Sequence, residues 1–79
     1  MNKENLITQI KKNSTEVYRI YEKEYEGYRF IDVRIYYMDK ETGEYKPTRK
    51  GISLMPNNVP EVIEGILKAM EQMGFSEKK

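Results

Sequence analysis

The sequence predicts an α+β fold: a curved four-stranded antiparallel sheet followed by a C-terminal helix. Three observations lead there. Residues 16–38 are dense in β-branched and aromatic side chains that alternate on either side of Glu26-Gly27. A second strand-like run, 45–54, follows a polar loop containing Gly43. From Val59 to Met73, apolar residues return at the helical period.

The elements follow in order. Residues 1–15 read as an N-terminal extension, and 16–79 as the folded domain. Within the extension, Leu6, Ile7 and Ile10 are spaced as on a helix, which allows a short, fraying one, and Asn13-Ser14 reads as a break. EVYRIYEKEY, 16–25, is the first strand, and Glu26-Gly27 the turn of a hairpin. In the second strand, 28–38, Ile31, Val33 and Ile35 form a β-branched stripe expected to be buried. The other parity mixes Tyr28, Phe30, Asp32, Arg34, Tyr36 and Met38. The third strand is 45–49, where Pro47 lacks an N–H and demands an edge position or a distortion. Lys50-Gly51 suits a bend or bulge, before a short fourth strand at Ile52-Ser53-Leu54.

The helix is expected to open with Asn58 as N-cap and Glu61 closing a capping box, with Pro60 in the first turn and Gly74 as terminator. Its stripe of Val59, Val62, Ile63, Ile66, Leu67, Met70 and Met73 is wider than one side of so small a sheet needs. A homodimer through Val59, Ile63, Ile66, Leu67 and Met70 is therefore expected. Composition argues the same way. A chain of 79 residues makes one small domain with a marginal core, and without cysteine it has no disulfide to reinforce it.

With 14 Lys and Arg against 13 Asp and Glu, net charge says little about partners, but the distribution is uneven. Residues 28–54 carry six basic and four acidic side chains; residues 56–73 carry Lys68 against Glu61, Glu64 and Glu71. No apolar run is long enough to span a membrane or to act as a signal peptide, and the lack of cysteine fits a cytoplasmic protein, nucleoid-associated if bacterial.

Chemistry has few candidates. Histidine and cysteine are absent, which removes the commonest general base and the imidazole and thiolate metal ligands. Ser14, Ser53 and Ser76 lie in no nucleophile motif, and the glycines are isolated turn residues rather than a phosphate loop. Neither an enzyme nor a cofactor is expected. Asp32, in mid-strand, is read as an ion-pair partner of Arg34 or of a base on a neighbouring strand. Binding of a charged polymer fits better: Tyr25, Tyr28, Tyr36 and Tyr37 lie close in sequence to Arg29, Arg34, Lys46, Arg49 and Lys50. Single-stranded nucleic acid is held by such a combination, bases stacking on aromatic faces while cations follow the phosphates.

The segment FIDVRIYYMDKETGEYKPTRKGISL, 30–54, resembles the C-terminal domain of the transcriptional positive cofactor four family of single-stranded-DNA-binding coactivators. The shared pattern is Asp-x-Arg closing an apolar strand, an aromatic before Met-Asp, and Lys-Pro-x-Arg-Lys-Gly-Ile-Ser-Leu before a helix. The resemblance runs from about Tyr25 to Leu54, continues loosely to Met70, and leaves out 1–15. It implies helix-paired dimers in which each sheet offers a channel to single-stranded DNA. By position it gives Arg34 the place of the strand arginine and Tyr37 that of a stacking tryptophan. Lys46, Arg49 and Lys50 take the places of the basic motif residues, and Tyr25 that of a stacking phenylalanine. Glu26 and Tyr28 stand where the family has basic residues, which weakens the field at the hairpin.

Tyr37 shares its parity with Ile35, so a regular strand would turn it inward; a twist or bulge near the strand end is expected to free it. The chain resembles the compact bacterial or phage members rather than the long-tailed eukaryotic ones. The leading reading is thus a largely sequence-tolerant single-stranded-DNA-binding coactivator, partnered by DNA, by a second copy of itself and by the transcription machinery. The alternative is a protein-interaction module that recruits a partner through its sheet edge or helix.

Overall fold

A computed structural model describes residues 2–75; Met1 and residues 76–79, Ser76 among them, lie outside the described residues. Four strands, β1 (Lys3–Lys11), β2 (Glu16–Tyr25), β3 (Tyr28–Met38) and β4 (Tyr45–Leu54), form one antiparallel sheet in the order β1-β2-β3-β4. A single 3-10 turn, Pro56–Asn58, leads into helix α1, Val59–Gln72. The α+β class, the four strands and the terminal helix are as the sequence predicts.

The strands are divided differently. Residues 3–11, read as an extension with room for a short helix, form a strand paired along β2 from Lys3↔Glu24 to Lys11↔Val17. The third and fourth strands expected from the sequence are one strand, β4, interrupted by a bulge. Opposite the two-residue step from Arg34 to Tyr36, β4 advances four residues, from Gly51 back to Pro47, leaving Thr48, Arg49 and Lys50 against Ile35. Pro47 lies on this edge strand, where its missing N–H is tolerated. Gly51 is required by space. A Cβ there would stand 2.7 Å from the Val33 carbonyl oxygen and 2.8 Å from Arg34 Cβ.

Local chemistry sets the turns. Glu26 and Gly27, with φ of 50° and 86°, make the two-residue connection whose twist matches paired strands. Between β1 and β2 the Asn13 carboxamide oxygen accepts the Thr15 and Glu16 N–H groups, while its amide donates to Glu16. Asp39 does similar work before β4: it accepts from Glu41 N–H and pairs with Lys46 at 2.8 Å.

At the start of α1 the expected capping box is not formed. Asn58 belongs to the preceding 3-10 turn, its backbone is already helical, and its side chain caps nothing. The C-terminus follows expectation: Gly74 has φ of 89°, Gly74 N–H donates to the Glu71 carbonyl, and Phe75 N–H donates to that of Met70, which satisfies two orphan carbonyls.

The two sheet faces differ in how they are covered. Val17, Arg19, Tyr21, Lys23, Asp32, Arg34, Tyr36 and Tyr45 share one face, on which Val17 and Tyr36 oppose each other and are buried. Among the described residues no other layer lies over it; its own long side chains cover it. Arg19 lies across the rings of Tyr36 and Tyr45, its guanidinium carbon 4.8 and 5.3 Å from their centroids, and donates to Gln9 and to the Tyr21 hydroxyl. The opposite face, with Tyr18, Ile20, Ile31, Val33, Ile35 and Ile52, remains open. The β-branched stripe expected to be buried is only half-buried in one chain, because α1 packs against the 3-10 turn instead of across the sheet and has no buried residue.

Candidate nucleic-acid interface

Strand β3 carries the predicted site along its length, and separates it into two ends. At the hairpin end Tyr25 and Tyr28 face each other across the β2–β3 ladder, and both are exposed, Tyr28 by 71%. Nine residues on, about 30 Å along the strand at strand rise, Tyr37 sits between Glu16 on β2 and Lys46 on β4. Sequence proximity suggested one cluster. The structure gives two aromatic positions of opposite strand parity, with the β4 bulge nearer the second: Tyr25 and Tyr28 share the parity of Val17 and Tyr36, and Tyr37 that of the open face.

Tyr37 is exposed by 42% while its neighbour Tyr36 is at 6%. No bulge interrupts the ladder of β3 with β2, which runs unbroken from Glu16↔Tyr37 to Tyr25↔Tyr28; the irregularity near Tyr37 is in the pairing with β4. Tyr37 does share the parity of Ile35, but that parity belongs to the open face. The bulge is on the neighbouring strand, and the ring is accessible without any irregularity of its own.

The four basic candidates divide by what holds them. Arg34 is engaged on all three guanidinium nitrogens. Nε and Nη2 donate to Asp32 at 3.0 and 2.9 Å, and Nη1 donates to the Thr48 carbonyl at 3.1 Å. Lys46 pairs with Asp39, a contact that raises its pKa and lowers that of the carboxylate. Arg49 and Lys50 are exposed on the bulge and form no ion pair among the described residues. They are the cations most available to a phosphate.

Asp32 is the most buried polar side chain, 2% exposed, and the ion-pair reading of it holds. Burial alone would raise its pKa. The Arg34 fork, the Ser53 hydroxyl at 3.0 Å and Lys23 at 3.9 Å outweigh that and hold it below the usual carboxylate range. Beside it, burial first and the neighbouring Tyr21 hydroxyl second push the Tyr36 hydroxyl up to about 12. A phenol whose folded pKa exceeds its unfolded value of about 10 contributes stability that is complete below pH 10 and lost as pH rises toward the folded value. A tyrosine ionisation near pH 12 should therefore appear late in an ultraviolet titration, with unfolding following it. Tyr36→Phe should abolish the late step.

Two residues of this surface escaped the sequence reading. Tyr18 opposes Ile35 on the open face and, with Val33, Ile35, Lys50 and Ile52, lines a shallow depression of about 260 Å³. Arg19 anchors the self-covered face. Alternation along EVYRIYEKEY separates the two residues by face, but which face stays open depends on where the helix goes, and that is not written in the strand.

Comparison with known proteins places this geometry. The profile of the family described as Transcriptional Coactivator p15 (PC4) matches residues 12–65. The chain belongs to the PC4 family. It is 34% identical over 64 residues to the RNA polymerase II transcriptional coactivator SUB1 of Saccharomyces cerevisiae. That match takes in 77% of this chain and 22% of the yeast protein, so the chain spans about a fifth of that relative's length. Two crystal forms of a PC4 homologue from Burkholderia pseudomallei superpose well. The tetragonal form gives a TM-score of 0.78 at 37% identity, covering 85% of this chain and 97% of the other. The orthorhombic form gives 0.76 at 38%, covering 82% and 86%. The PC4 match begins just after β1, and the bulge, Asp32, Arg34 and Tyr37 all fall inside it.

Proposed function

We propose that this PC4-family protein is a non-enzymatic single-stranded-DNA-binding protein with a coactivator-like role, acting in the cytoplasm, on the nucleoid if its source is bacterial. It binds DNA largely without sequence preference, as a homodimer paired through α1. The observation that carries this reading is the β4 bulge. It presents Arg49 and Lys50 exposed and without ion pairs among the described residues, on the strand paired with that of Tyr37. Stacking on Tyr37, with Tyr25 and Tyr28 about 30 Å away and of the opposite strand parity as a separate stacking position, supplies affinity without readout of base edges, because every base has a π face. The coactivator role rests on family membership and on the similarity to the yeast transcriptional coactivator.

The hairpin end contributes differently from the bulge. Arg29 there is paired with Glu22 at 2.9 Å, and Lys23 lies between Glu4 and Asp32. Lys3, opposite Glu24, is the cation near Tyr25 without an ion pair among the described residues, and Glu24 and Glu26 offset it. Phosphate contacts concentrate at the Tyr37 end, and the hairpin end acts through base stacking.

Arg49→Ala and Lys50→Ala test the reading. Each should weaken binding to single strands of any sequence to a similar degree and make the dependence of log affinity on log salt shallower, by up to about 0.7 per lost contact. Folded variants with an unchanged slope would mean that neither side chain meets a phosphate.

A further inference from the structure

Resting on the proposed DNA-binding role, we infer that Arg34 is a positioning residue and not a phosphate contact: with Asp32 and Thr48 it forms a clamp that holds the β4 bulge so that Arg49 and Lys50 project toward the strand. The clamp is continuous in its bonds. Buried Asp32 receives both Nε and Nη2 of Arg34 and the hydroxyl of Ser53, which lies directly opposite it on β4. The remaining nitrogen, Nη1, reaches over β4 to the carbonyl of Thr48, the first residue of the bulge. The Thr48 hydroxyl in turn donates to the Ile35 carbonyl at 2.7 Å and accepts Lys50 N–H at 3.1 Å.

A three-residue bulge at a sheet edge lacks ladder bonds of its own, and here side chains replace them. Gly51 lets the two backbones approach closely enough for Arg34 to reach across. Arg34 has no guanidinium nitrogen without a protein partner, whereas Arg49 and Lys50 are exposed. The division of labour follows: a buried carboxylate fixes one arginine, that arginine fixes the bulge, and the bulge carries the free cations.

Charge counting and the clamp predict opposite signs for Asp32→Asn. If Arg34 were a phosphate contact restrained by Asp32, removing the carboxylate would add a positive charge to the site and tighten binding. The clamp predicts weaker binding, roughly three- to tenfold, in protein that remains folded by circular dichroism. Arg34→Lys keeps the charge but cannot fork and bridge at once, and should lose affinity to a similar degree. Thr48→Val removes only the hydroxyl, leaves every charge in place and should weaken binding in the same direction.

Amide hydrogen exchange of the free protein provides a readout that does not need DNA. The Lys50 amide should exchange faster in each variant than in the parent, while amides in the β2–β3 ladder stay protected. Should the parent fail to bind any single strand, the functional reading fails, and the exchange result still decides the clamp. Tighter binding by Asp32→Asn, parental affinity in Arg34→Lys or Thr48→Val, or an unchanged Lys50 amide would each overturn it. Should Asp32→Asn not fold, Thr48→Val, on an edge strand and free of charge effects, decides alone.

Discussion

Ile66→Glu is expected to turn a dimer into a monomer or an unfolded chain. A helix of 14 residues is marginal in water, and α1 has no buried residue and packs chiefly on the short turn before it. Its amphipathic stripe is nevertheless long, and Ile66 is 57% exposed on it. In the whole described chain only Val17 and Tyr36 are buried apolar residues, too little for a stable core. Each Ile, Leu or Met of the stripe that a second chain covers adds about 1.5–3 kcal/mol.

A carboxylate at the centre of that contact would lose several kcal/mol of solvation with no partner in return. Light scattering should give twice the chain mass for the parent at micromolar concentration and the chain mass, or aggregates of unfolded protein, for the variant. A stable parental monomer would remove the helix-paired dimer. Ile63→Glu and Met70→Glu should behave alike, since they lie one turn to either side.

Tyr37→Ala is the second large expected effect, and it falls on binding rather than on folding. A buried aromatic cut to alanine typically costs about 3–5 kcal/mol of stability. Tyr37 is half-exposed, so only part of its ring contributes to packing. A base stacked on it would lose about 1–3 kcal/mol, equivalent to roughly a five- to 150-fold weaker affinity. Melting and oligonucleotide titration on one preparation separate the two outcomes. A large loss of melting temperature with binding intact would return Tyr37 to the core. Tyr37→Phe should retain most affinity, because the ring face and not the hydroxyl meets the base; failure of Phe to the same degree as Ala would contradict stacking.

The fold was legible where local chemistry decides it. The Glu26-Gly27 hairpin, the alternation of β2 and β3, Pro47 on an edge strand, the Lys50-Gly51 irregularity and the Gly74 stop each follow from a conformational preference of one or two residues. β1 was not legible. Its register with β2 shifts between Leu6 and Thr8, so Ile7 falls in a bulge and Leu6, Ile7 and Ile10 lose the period of two that would mark a strand. What remained resembled one face of a helix. The Asn58 cap misled for a related reason: a 3-10 turn ahead of α1 had already made its backbone helical.

The site was legible as residue types but not as roles. Arg34 and Arg49 read alike in sequence, and only the hydrogen bonds separate a braced guanidinium from an available one. Tyr37 is exposed as expected but by another route, because strand parity identifies two faces without saying which is covered. Ile31, Val33 and Ile35 read as core, yet α1 packs on the 3-10 turn and leaves them only half-buried.

The most direct measurement is a competition titration of a labelled single-stranded oligonucleotide against an unlabelled duplex of the same sequence, at about 50 and 200 mM salt. The account predicts that the single strand is bound in preference to the duplex, with little dependence on its sequence and with affinity that falls as salt rises. Equal displacement by the duplex, or an affinity indifferent to salt, would contradict it and favour a surface that recruits protein instead.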